Sequence, residues 1–162
     1  MTTNPNFETK AFAFPRSNNL VNSQLKFYNA GNNFYFAVWI ENNSVVVSGS
    51  ADNAQTFSAP KNVLELENSL TDTQFLAQNE KFVVAITEKG PESTTVRAAY
   101  GHLNTPSNDI VSQECPNRHV ITRGQVLNVQ LLFVDYEKGI TKEHVFVSVE
   151  GDQIEEETGR HP

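Results

Sequence analysis

The chain has 162 residues, 38% of them hydrophobic, which is enough to bury an ordinary core and rules out a disordered or fibrous protein. A formal net charge of −7 and a sequence pI near 5.0 repel polyanions, so neither nucleic acid nor an anionic membrane surface is expected as a partner. The single cysteine, Cys115, excludes an internal disulfide framework and a thiolate metal cluster within one chain, and is read as a reduced, partly buried thiol.

The opening residues MTTNPNFETK lack the basic and apolar regions of a secretory signal, and no apolar run reaches membrane-spanning length. The expectation is a soluble, cytoplasmic protein, or a secreted one if a leader had been trimmed. The triplet Asn42–Ser44 has the form of a glycosylation acceptor, which inside a cell is only a polar turn.

Taken in chain order, the apolar residues fall in short runs rich in Val, Phe, Tyr and Ile, bounded by Asn, Gly, Ser or Pro, as strands are. An orphan strand is predicted at Thr9–Phe14, followed by a weaker one at Ser23–Asn29. Strong strands follow at Phe34–Glu41 and Ser44–Gly49, separated by Asn42 and Asn43, which tolerate the positive φ of a tight hairpin. A further extended segment is placed at Thr56–Glu65. The pattern then recurs: Thr73–Gln78, Lys81–Glu88, Thr94–Gly101 and Asn108–Glu114. A third time it reads His119–Arg123, Val126–Asp135, a turn at Lys138–Gly139, and His144–Glu150. Several runs are apolar at consecutive positions, so both faces of those strands must be covered.

The second strand of each hairpin starts at Ser44, Thr94 and His144, a period of about 50 residues, which is the size of a propeller blade. The expected architecture is therefore all-β, a single domain over 1–162 made of three four-stranded antiparallel blade-like repeats, at about 22–71, 72–121 and 122–162. The third repeat is one strand short. Propeller rings need about four to eight blades, and an open arc would expose strand edges. Half of a six-bladed ring, closed by a homodimer in which each copy donates Thr9–Phe14 to its partner's last blade, answers both problems. A monomeric β-sandwich is the alternative.

Ser50-Ala51-Asp52-Asn53-Ala54-Gln55-Thr56-Phe57 resembles the Asp-box, S-x-D-x-G-x-T-F/W, of sialidases and related propeller proteins. In that family the box is the turn between the third and fourth strands of a blade. Asp52 would accept backbone N–H bonds, Ser50 and Thr56 would bridge the turn, and Phe57 would pack beneath it. Ala54 stands where glycine is usual, and a positive φ there would strain it. The box occurs in the first unit and not in Ala99–Thr105 or Val149–Glu155. The resemblance gives Asp52 a structural role, not a catalytic one.

Sialidases grip a substrate carboxylate with three arginines and use a glutamate-activated tyrosine as nucleophile and an aspartate as acid/base. This chain offers only Arg16, Arg97, Arg118, Arg123 and Arg160, and Phe14-Pro15-Arg16-Ser17 is only a partial likeness to the family's arginine motif. Arg97 lies within a core strand and so requires a partner, whether an ion pair or a ligand. Tyr136 stands between Asp135 and Glu137, but neighbours on a strand point to opposite faces. No catalytic residue is assigned. The four histidines show no ligand spacing, no calcium loop or phosphate cradle is present, and neither a metal nor a cofactor is expected. Sugar-binding propellers stack aromatic rings on a pyranose, and the candidates are Trp39, Tyr100 and Tyr136, with Tyr28 and Tyr35 also available; Trp39 equally suits a core. The expected function is a non-catalytic sialidase-like module for glycan binding or assembly. The alternatives are a glycoside hydrolase with a site completed between chains and a structural interaction module.

Overall fold

The computed structural model describes residues 25–137 and 140–150, with side chains at 135–141 excepted. Among the described residues every regular element is a strand, and all pairing is antiparallel. The first sheet contains β1 (Lys26–Gly31), β2 (Phe34–Glu41), β3 (Ser44–Ser50) and β4 (Lys61–Glu65), in chain order. The second contains β5 (Ser69–Gln78), β6 (Lys81–Lys89), β7 (Thr94–Asn104) and β8 (Asp109–Glu114), again in chain order, with β9 (His119–Ile121) also on β7. The third is the hairpin β10 (Val126–Glu137) and β11 (Ile140–Val149). No helix among the described residues is long and apolar enough to cross a membrane.

The expected hairpins form for the expected reasons. Asn42 and Asn43 take φ of 50° and 62°, matching the right-handed twist of β2 and β3, which pair from Tyr35↔Ser50 to Glu41↔Ser44. The β1–β2 turn uses Gly31, Asn32 and Asn33 at positive φ, and the β5–β6 turn uses Asn79. These two turns also clasp one another: Asn79 N–H donates to Ala30 C=O at 2.6 Å, and Asn32 Nδ2 donates to Asn79 Oδ1 at 2.8 Å.

The sheets stack in series, with an interior on each side of the second. Side chains alternate across a strand, so Phe82, Val84 and Ile86 of β6 and Ala99 and Leu103 of β7 meet Phe36, Val38, Val45 and Val47 of the first sheet. Val83 and Ala85, with Val96 and Ala98, face the other way onto Val129, Val145, Val147 and Val149 of the third sheet. Among the described residues there are thus three layers with an interior on each side of the middle one, instead of two sheets around one. The first interior is aromatic: Tyr28, Phe36, Phe75 and Phe82 have ring centroids 4.7–6.0 Å apart. The second is chiefly aliphatic. In both full sheets a phenylalanine opposes a cross-strand glycine, Phe36↔Gly49 and Phe82↔Gly101. A Cβ on Gly101 would lie 2.2 Å from Val111 O and 2.9 Å from the Phe82 ring, so β8 and that ring approach only because the side chain is missing.

The third unit departs from expectation. His119–Ile121 does not begin it but pairs with β7, Thr94↔Ile121 through Val96↔His119. Eleven-residue β7 outruns six-residue β8, which covers only Ala99–Asn104. The backbone groups at Thr94–Val96 then need a second partner, and β9 supplies it while burying Ile121 at 4% exposure. Two sheets are four strands wide along the main path and the third, among the described residues, is two. The strand β11 also begins at Ile140, ahead of the expected His144, which shortens the second of the two intervals. In the first unit β4 begins at Lys61, not Thr56, because Thr56 is held by Asp52 and Pro60 has no N–H to give. Thr9–Phe14, Arg16, the Lys138–Gly139 turn and the acidic run Glu155–Glu157 lie outside the described residues.

Candidate functional site

The Ser50–Phe57 segment is the turn between β3 and β4, built around one carboxylate. Asp52 Oδ1 accepts from the Ser50 hydroxyl at 2.8 Å and from the N–H groups of Gln55 and Thr56 at 3.1 and 2.9 Å. Asp52 Oδ2 accepts from the Thr56 hydroxyl at 2.5 Å, and Ser50 Oγ accepts from Ala54 N–H at 2.9 Å. The hydrogen bonds from Thr56 hold the Asp52 carboxyl down at about pKa 2, from 3.8. Its contribution to stability is therefore present above pH 3.8 and is lost as pH falls toward about 2. Ala54 sits at φ 67°, the strained geometry expected of a side chain in a glycine position. Phe57 meets Phe27 edge-on at 6.0 Å. Ser50, Asp52 and Thr56 are bonded to one another within the turn, which consumes the carboxylate, while Phe57 packs on the cluster of Ala37, Trp39 and Val46.

Arg97 is buried at 2% exposure in a network of ion pairs. Its Nη1 donates to Glu88 Oε1 at 3.0 Å and to Glu65 C=O at 2.8 Å, while Nε and Nη2 straddle Glu114 at 3.2 Å each. Glu88, itself 1% exposed, accepts from the N–H groups of Glu67 and Asn68 at 2.6 and 3.0 Å. Arg118 grips Glu67 with two bonds of 2.6 and 2.8 Å, which lowers the Glu67 pKa and raises that of Arg118. The sequence flagged Arg97 but not its partners. The network pins the β4–β5 connection onto the second sheet and leaves the buried Arg97 guanidinium closed to a ligand carboxylate, while Arg118 pairs with Glu67 at the surface.

Trp39 is 1% exposed, with Ala37 and Val46 in a third apolar cluster, and its Nε1 donates to Glu41 Oε1 at 2.7 Å. Packing takes most of the ring; only its rim lines a cleft of about 330 Å³ with Tyr28 and Lys26. Tyr136 lies on β10, its side chain outside the described set.

Tyr100 is placed differently. Among the described residues the third sheet is two strands wide, and beside it a cleft of about 540 Å³ opens on the second sheet's face. Lys81, Tyr100, His102 and Gln113 project from that face, and Lys142 and Glu143 form the opposite lip. Burial raises the Tyr100 pKa, helped by the negative charge of Glu143. Glu143 is a buried carboxyl, 8% exposed, and desolvation raises its pKa although Lys81 and Lys142 oppose the shift. Sequence reasoning missed it, yet it shares strand parity with the inward valines 145, 147 and 149. Cys115 lies deep in the same interior, its thiol pushed up to about 12, chiefly by burial. Among the described residues no three His, Cys, Asp or Glu side chains gather as a metal ligand set.

Comparisons with family models, curated proteins and solved structures found no match to this chain.

Proposed function

We propose that the chain is a non-catalytic, sialidase-like propeller module in which two copies complete a six-bladed ring that presents glycan-binding clefts. The reading rests most on one observation: the two arginines of the Arg97 network are spent on Glu67, Glu88 and Glu114, so the carboxylate grip that sialidase chemistry needs is missing there, while Tyr100 stands at an open cleft. Serial stacking of sheets whose main paths run in chain order, and a carboxylate-centred turn between third and fourth strands, support the propeller part. Assembly is supported by the third sheet's far face, where Leu132 and Phe146 are 48% and 39% exposed; a second copy stacked there continues the series.

Light scattering on the full chain tests the assembly. The expected mass is twice the 18.1 kDa of one chain, falling to a single chain when residues 1–14 are removed. A monomeric full chain overturns the ring. Glycan-array binding without turnover of a fluorogenic sialoside is the expected signature of the module, and turnover would overturn the non-catalytic reading.

A further inference from the structure

Each interior of this protein holds a buried glutamate near a strand end, and the two are treated in opposite ways. Glu88, on the parity of Phe82, Val84 and Ile86, is met by Arg97 and two backbone N–H groups. Glu143, on the parity of Val145 and Val147, takes a hydrogen bond from its own backbone N–H and feels Lys81, Lys142 and His144 through space. A carboxylate drawn away from water with one backbone donor and no close cation is costly, and ligand-binding and reactive sites are where such groups gather. Here the carboxyl lies on the lip of the cleft that Tyr100 lines.

The surroundings restrict what can answer it. An anionic sugar would bring its carboxylate against Glu143 and Glu80, while a simple cation would meet Lys81 and Lys142. A neutral polyol satisfies a carboxylate with two hydroxyl donors and adds no charge. The half-buried Tyr100 ring lines the cleft beside it, and its cross-strand neighbour Gln113 adds an amide that both donates and accepts.

Resting on the glycan-binding reading above, we propose that this cleft takes a neutral pyranose, with a vicinal diol on Glu143 and the ring face on Tyr100, and rejects sialylated sugars. The ligand class is therefore unlike the one the Asp-box resemblance suggests.

Saturation-transfer NMR on the full chain, with the methyl pyranosides of galactose, glucose and mannose as probes and a methyl sialoside as counter-probe, tests this. At least one neutral pyranoside binds saturably and the sialoside does not. Glu143→Gln, equal in shape, weakens that binding about tenfold while leaving thermal unfolding unchanged or raised. Tyr100→Ala weakens it several-fold by an independent route. Preference for the sialoside, or pyranoside binding indifferent to both substitutions, overturns the proposal and leaves glycan binding standing. Failure of every sugar to bind overturns both.

Discussion

The two interiors flanking the second sheet differ in width, in chemistry and in how they treat charge. Between the first and second sheets, two four-stranded layers face each other, four aromatic rings fill the gap, and the buried Glu88 is neutralised by Arg97. Between the second and third, among the described residues, a two-stranded layer covers a four-stranded one, valines replace rings, and Glu143 faces a cleft. The difference teaches that sheets of equal width close an interior, whereas unequal width leaves a ledge. On that ledge polar groups that would be intolerable in a closed core can persist.

Substitutions can break that contrast, beginning with its largest element. Phe82→Ala removes a ring that contacts two others and should cost about 4 kcal/mol, whereas Val147→Ala in the second interior should cost about 2 kcal/mol. Urea denaturation reads both, and equal losses would erase the distinction between aromatic and aliphatic interiors. Arg97→Met strands Glu88 without its cation and should cost about 3 kcal/mol, most of it recovered when Glu88→Leu is added. A double-mutant cycle on thermal unfolding checks the recovery.

The contrast is sharpened without any substitution by Cys115. With its thiol pushed up to about 12, disulfide-exchange reagents at pH 8 should label native protein on the order of a thousandfold more slowly than the unfolded chain. The residual rate then reports opening of the second interior. Immediate labelling would mean that this interior is not closed around Cys115. The smallest effect concerns the first sheet alone. Ala54→Gly relieves a side chain at φ 67° and should stabilise by about 1 kcal/mol, read as a rise in Tm.

The strands and their hairpins were legible because their signals are local. FYFAVWIE is apolar on both faces and ends at two asparagines, and the observed β2 and its turn follow that pattern. The carboxylate bonding in the turn at Asp52 was equally local: every partner of the Asp52 side chain lies within four residues. The assignment of His119–Ile121 went astray because a three-residue strand carries no preference for one edge over another. What decides its place is how far β7 extends past β8, a fact of pairing and not of composition. The partners of Arg97 were hidden for a similar reason, since Glu67 and Glu114 lie 30 and 17 residues from it in sequence and converge only once the sheets stack. Glu143 was legible in principle, as an acid on the inward parity of three valines.

The clasp between the Asn32 and Asn79 turns works at the margin of the stack, where two hydrogen bonds tie the end of one layer to the end of the next. A residue inserted into either turn would leave the strand pairing within each sheet intact yet break that tie. Registry between the first two layers is thus held by two short asparagine bends as well as by the valines and phenylalanines between them.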